Sequence, residues 1–307
     1  MSYHYLAFGI PFISEIELPA LLPAPTDFPK DNPVLVKLGK VPDDLNAAGV
    51  YADHWAYCNE NEMLYTVPGK IKFYISEGNQ IVIEPISENY RMNLIYFYSN
   101  CLAAILYQRD TIPFHVSGVF VEENKVALFA APSQTGKSTL ALKLQELGFS
   151  PFTDDTAILF FENEKCYAQA SYPMMRLWQN SLNQQRLLGE EDKQVLYEEE
   201  EFDKFGFSFH EQFRHEPVEV KQIVFMEATG HVMQTKPIKS VDAFKILADN
   251  VYRCHWIPTL HKNKLQFELI SHVLKEVPFV LAIRPAEINS FGEFPQFIKN
   301  ILEKQAI

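Results

Sequence analysis

Ala131-Pro132-Ser133-Gln134-Thr135-Gly136-Lys137-Ser138-Thr139 decides how this chain is read. An apolar run, Val126-Ala127-Leu128-Phe129-Ala130, leads into it, and Leu140-Ala141-Leu142-Lys143-Leu144-Gln145-Glu146-Leu147-Gly148 follows. That pattern predicts a buried strand, a tight loop and a helix that stops at a glycine. Gly136-Lys137-Ser138 is the tail of a phosphate-binding P-loop. Backbone N–H groups at a helix start point at an anion, and the helix dipole favours negative charge there. Lys137 is placed to reach the β- and γ-phosphates, and the Ser138 hydroxyl to take a place on Mg²⁺. Ser133, Gln134, Thr135, Gly136, Lys137, Ser138 and Thr139 are therefore the candidate nucleotide-binding residues. Two positions depart from the usual pattern: Ala131 stands at its first glycine, and Gln134 where a small residue is common.

With 47% hydrophobic and 21% charged residues, the 307-residue chain groups with globular rather than disordered proteins. A net charge of −12 argues against nucleic acid as a partner, because phosphate backbones are held by clustered Lys and Arg. A P-loop binds nucleotide through backbone and one lysine, so it escapes that exclusion. Much of the acidity is local: residues 190–203 hold eight acids and a single lysine. Such a run reads as a solvated face, or as a surface that attracts a basic peptide. Cys58, Cys101, Cys166 and Cys254 form no C-x-x-C pair and read as reduced core residues of a cytoplasmic protein. Asn93–Tyr107 is too short and too polar for a membrane span and reads as a buried helix. A homo-oligomer is possible, but the sequence does not encode the oligomeric state legibly.

Residues 1–88 are expected to form a small β-rich domain, with strands at 5–9, 34–38, 71–75 and 80–84 between Pro- and Gly-containing turns. Residues 89–307 are expected to form an α/β domain. It opens with a helix from Asn89 to Arg109 whose Leu94, Tyr98, Cys101, Leu102 and Ile105 share a face. Strands are expected at 114–121, 125–131, 149–153, 157–161, 166–171, 218–227, 231–235 and 279–283. Helices should start at Ser240, run over 260–277 and close the chain over 294–304. Asp154-Asp155 lie at the end of the 149–153 strand, Asp155 eighteen residues past Lys137. An acid at a strand end beside a P-loop is where a Mg²⁺ contact belongs. Two neighbouring aspartates there face opposite ways, one to the metal and one to the substrate.

His115-Val116-Ser117-Gly118-Val119-Phe120, the loop from Ser133 to Ala141, Gly148-Phe149 and Thr153-Asp154-Asp155 together resemble the HPr kinase/phosphorylase family. The chain is most similar to the HPr-kinase-like proteins encoded with lasso and related ribosomal peptide clusters. Tyr5-Leu6-Ala7-Phe8-Gly9, Leu106-Tyr107-Gln108-Arg109 and Met175-Arg176-Leu177-Trp178 fit that subgroup. The resemblance implies a P-loop kinase domain of the type shared with phosphoenolpyruvate carboxykinase, and phosphorylation by ATP of a serine in a precursor peptide. By position, it implies Asp154 as general base and Asp155 as the Mg²⁺ partner beside Ser138. His115 would sit near the transferred phosphate, with Lys137 on the nucleotide. Arg176 is the candidate for neutralising phosphate charge, although it also reads as an ordinary core-edge arginine. The C-terminal signature by which HPr kinases recognise their target is missing, which argues against HPr as substrate. A small-molecule alcohol as acceptor, or a non-catalytic nucleotide-binding module, remains open. Tyr252 and Arg253 carry no signal that singles them out.

Overall fold

The computed structural model describes residues 2–26, 28, 31–132, 135–178, 193–195, 204–209, 213–286 and 292–304. The chain is mixed α/β, with a strand-rich N-terminal portion. Its first nine strands, from Tyr3–Ala7 to Gln80–Pro85, form one sheet. Side chains alternate across its strands: Ile71, Phe73 and Ile75 are fully buried, while Lys72 and Tyr74 face outward. The hairpin between Ile71–Ser76 and Gln80–Pro85 turns through Glu77 and Gly78, both at positive φ (53° and 62°). Three residues, Glu77 to Asn79, connect the strands, because Ser76 pairs with Gln80. The turn docks on a helix end, where Gln108 Oε1 accepts from the Gly78 N–H at 2.9 Å.

The stretch expected as one helix from Asn89 to Arg109 is helical but not uniform. A 3₁₀ turn, Tyr90–Asn93, passes into an α-turn, Leu94–Tyr96, then a π-helical turn, Phe97–Cys101, then the α-helix Leu102–Gln108. Phe97 through Tyr107 are all buried, rather than one face alone, because the helix lies in a core shared by both sheets.

A second nine-stranded sheet carries the loop. Its strand Lys125–Ala130 is buried from Val126 to Ala130. It pairs with the parallel Val218–Gly230 and the antiparallel Ser117–Glu122, and its two faces enter different clusters, Val126, Leu128 and Ala130 in one and Ala127 and Phe129 in the other, so the run is apolar throughout. Phe279–Pro285 extends the parallel arrangement beyond Val218–Gly230. The helix Lys137–Glu146 packs Leu140, Ala141 and Leu144 against Phe129, Val224 and the C-terminal helix Phe294–Lys304.

Several expectations are corrected. The 114–121 strand breaks: Pro113–Phe114 pairs with Ala157–Glu162, whereas Ser117–Glu122 pairs with Lys125–Ala130 and Pro151–Thr153. The helix expected over 260–277 runs Asn263–Glu276, after a turn that holds Leu260. The 231–235 strand is Gln234–Lys236, because Val218–Gly230 continues three residues past its expected end. Cys254 is exposed rather than in the core, and none of the four cysteines forms a disulfide. Most of the acidic run 190–203 lies outside the described residues. Among the described residues no helix is long and apolar enough to cross a membrane.

Candidate functional site

Lys125–Ala130 delivers the loop at its C-terminal end, and Gly136 starts the helix at φ 98°, a left-handed conformation that glycine adopts without strain. Among the described residues no side chain caps that helix and no acid sits in its first turn, so the positive end of its dipole is not neutralised there by a carboxylate. Lys137 is 6% exposed and its Nζ donates to the Ala131 carbonyl at 2.7 Å. Ser138 is half-buried and Thr139 buried on the same turn. Ser133 and Gln134 lie outside the described residues. At the loop's other edge an arginine the sequence did not flag, Arg284 on Phe279–Pro285, donates from Nη2 to the Thr135 carbonyl at 3.3 Å.

The register of Ser117–Glu122 against Pro151–Thr153 sets Gly118 opposite Thr153, which brings Ser117 beside Asp154. Its hydroxyl donates to Asp154 Oδ1 at 2.6 Å, and Asp154 is 1% exposed. A Cβ on Gly118 would stand 2.9 Å from Leu128 Cδ2, so this close approach requires glycine. Asp155 takes the left-handed region, at φ 75°, and its carboxylate turns the other way, into a cavity. The strain costs on the order of 1 kcal/mol for a residue with a Cβ.

His115 occupies the break in the strand. Its N–H donates to the Asn250 carbonyl at 2.6 Å, and its Nδ1 lies 2.8 Å from the Asp155 carbonyl and 3.7 Å from Asp155 Oδ1. Burial and then the Lys137 charge push the His115 pKa down, against an opposite pull from Asp155. The ring is therefore neutral at pH 7. A carbonyl can only accept, so Nδ1 carries the proton and Nε2 keeps its lone pair.

The cavity, about 900 Å³, lies between the two sheets. Ala131 and Pro132 at the loop root, His115 and Asp155 line one end. Trp55, Tyr65 and Tyr96, in mutual edge or tilted contact, form an aromatic wall. The geometry thus joins the loop root, His115 and Asp155. Asp154 does not line this cavity, although its charge acts on His115. Arg176 lies on the strand Met174–Trp178, opposite Gly206, and its side chain is outside the described residues. Nothing in the sequence marks Asn250, which is 3% exposed. Its Oδ1 accepts the Ala131 N–H at 3.2 Å and its carbonyl accepts from His115, so it ties the loop root to the histidine. Asp53 was also missed because its partners, His255 at 3.2 Å and the Trp256 indole at 2.8 Å, lie some 200 residues away.

The sequence matches no family model, and no curated protein matches it. Among solved structures, the HPr(Ser) kinase/phosphatase from Coxiella burnetii is similar over 63% of this chain and 89% of its own, at 12% identity and a TM-score of 0.32. So loose an overlay decides neither fold nor activity, and the functional reading rests on the site itself.

Proposed function

We propose that this chain is an ATP-dependent kinase that transfers the γ-phosphate to an alcohol, the serine hydroxyl of a ribosomally made precursor peptide of the lasso type. One observation carries the kinase reading: a single cavity is lined both by the root of the P-loop and by the His115–Asp155 pair. The peptide part of the proposal rests on the sequence resemblance, and the cavity's size gives a side chain or chain end room to enter.

In this reading Lys137 leaves the Ala131 carbonyl for the β- and γ-phosphates, and the N–H groups of the first helical turn hold phosphate oxygens. The acceptor hydroxyl loses its proton to Asp155 as its oxygen bonds to the γ-phosphorus, and the bond from that phosphorus to the ADP oxygen breaks. His115 stays neutral and donates Nδ1–H to the Asp155 carbonyl, which holds that residue's backbone in place. The base and metal roles of Asp154 and Asp155 are thus exchanged relative to the resemblance.

In this reading Ser138 and Asp154 would hold Mg²⁺, which takes its remaining ligands from phosphate and water, and Asp154, 1% exposed, would reach the ion by giving up the Ser117 hydroxyl. Among the described residues no cluster of three His, Cys, Asp or Glu could hold a metal alone. Bound with the nucleotide, the ion would neutralise phosphate charge.

The test is ADP release from Mg-ATP with serine-containing peptides, with calorimetry of Mg-ATP alone. Binding with acceptor-dependent turnover supports the kinase. Binding without turnover on any alcohol leaves the nucleotide-binding module. No binding at about millimolar Mg-ATP removes both readings.

A further inference from the structure

Two demands in the cavity go unmet by the protein. The first is at Asn100, 2% exposed, in the π-helical turn Phe97–Cys101. The Ser99 hydroxyl donates to the Ile95 carbonyl at 2.8 Å, so its oxygen can only accept from Asn100, whose Nδ2 lies 3.0 Å away. That fixes the amide's orientation and leaves Oδ1 as a buried acceptor with no donor. A π-turn inside a helix is a costly insertion that recurs at functional sites, and here it sets Ser99 and Asn100 on the cavity lining.

The second is at Arg253, held in the left-handed region at φ 57°. Its guanidinium stacks over Tyr252 at 5.2 Å and lies 6.0 Å from the Trp256 ring centre. Among the described residues no carboxylate comes within ion-pair distance of it, and Nε is buried without a partner. Asp53, the nearby acid on the same lining, is already committed to Trp256, His255 and the N–H groups of Trp55 and Ala56. Asp53, Asp155 and Asp249 line the same cavity, but among the described residues none of them pairs with Arg253, whose planar fork is suited to a carboxylate.

We infer that Asn100 and Arg253 form an anchoring subsite for the acceptor, taking an alcohol that carries a carboxylate for Arg253 and an N–H for Asn100 beside its hydroxyl. A free hydroxy amino acid and the C-terminal hydroxy residue of a peptide share this chemistry. The aromatic wall of Trp55, Tyr65 and Tyr96 packs the rest of the acceptor, while Asp155 on the same lining meets the hydroxyl. This inference rests on the kinase reading for what happens at the hydroxyl, but the binding it asserts does not need nucleotide.

The test is calorimetry without nucleotide, using L-serine, L-serinamide, D-glycerate, a short peptide ending in serine and the same peptide amidated. In the wild type, L-serine or the carboxylate-ended peptide should bind about tenfold or more tightly than its amide, with D-glycerate weaker than L-serine. Binding by L-serine alone identifies a free amino acid; binding by the peptide alone identifies a chain end. Arg253→Gln should abolish the preference for carboxylate over amide, and Asn100→Leu the preference for L-serine over D-glycerate. Both variants should keep Mg-ATP affinity. Equal binding of acid and amide by the wild type, or no binding of any of the five probes, overturns the inference even if a variant fails to fold. Weakened Mg-ATP binding in Arg253→Gln also overturns it, by placing the arginine on the nucleotide. Acceptor binding in a protein that does not bind Mg-ATP would retain the subsite and remove the kinase.

Discussion

At Asp154 and Asp155, two identical side chains acquire different environments from one backbone turn. Asp154 continues the strand direction inward to the Ser117 hydroxyl, whereas the positive φ of Asp155 swings its carboxylate into the cavity beside His115. Asp155→Asn should therefore lower kcat by about 10²–10⁴ with Mg-ATP affinity nearly intact, as for loss of a general base. Asp154→Asn should instead weaken the Mg²⁺ dependence of nucleotide binding. Titrating Mg²⁺ at fixed ATP separates the two, and the reverse pattern would restore the assignment implied by the resemblance. Lys137→Ala should cost roughly 10²–10³ in rate, because a charge on the developing phosphate is lost. An unchanged turnover in a folded Lys137→Ala protein would exclude the loop from the chemistry. His115 has its pKa pushed below the ordinary histidine value, so it stays neutral to lower pH than in the unfolded chain. The unfolded state then binds the extra proton first, and stability should fall as pH drops below about 6.5. His115→Gln should flatten that part of the curve in denaturant titrations run across the acid range.

At the scale of elements, the strand, loop and helix around Lys137 were legible because their signals are local. An apolar run, a Gly-Lys-Ser and a helix ending at glycine need no partner to be read. The interrupted strand at His115 was not legible. Its two halves pair with different neighbours, and nothing in His115-Val116 marks the change. The π-turn was equally hidden, since Phe97 to Cys101 has an ordinary helical composition and the extra residue is imposed by the core around it. Asn250 shows the same limit: it acts at the C-terminal end of the helix Ser240–Asp249 on a loop over a hundred residues earlier. Replacing it should expose how far the helix positions the loop. Asn250→Leu leaves the buried Ala131 N–H without an acceptor, which should cost about 1–3 kcal/mol of stability. It should also weaken Mg-ATP binding, as the loop root shifts. Asn250→Asp keeps the acceptor for Ala131 but sets a carboxylate oxygen against the Ile246 carbonyl that Nδ2 donates to at 2.9 Å, so it should recover nucleotide binding more than stability; thermal unfolding beside calorimetry reads the two together.

For the whole molecule, the sequence divides at residue 88 by composition, yet the core is continuous. Residues of the N-terminal sheet, the helix through Leu102–Gln108 and the second sheet belong to one buried cluster. Hydrogen bonds cross the same boundary: Phe8 N–H donates to the Ser171 carbonyl at 2.9 Å, and the Trp256 indole N–H to Asp53 Oδ2 at 2.8 Å. Cores shared in this way unfold together, so tryptophan fluorescence and far-ultraviolet dichroism should report one coincident denaturant transition. Asp53 is the most exposed of these cross-links and therefore the most informative to cut. Burial pushes its carboxyl up, but the Trp256 indole, the Trp55 N–H, His255 and the Ala56 N–H overcome that and hold its pKa below the usual carboxylate value. A lowered folded pKa gives stability that is complete above about pH 4 and is lost as pH falls through the folded value. Asp53→Ala should then lower the midpoint of the single transition near neutrality, by about 1–3 kcal/mol for hydrogen bonds to a charged group. The gap between wild type and variant should narrow as both are taken into acid, because the wild type loses the same interaction by protonation. Since Asp53 also shapes the cavity mouth next to Arg253, acceptor affinity should fall in step with stability. Two separated transitions in the wild type would show that the sheets are independent units, and a gap that persists unchanged in acid would show that Asp53 does not hold them together through its charge.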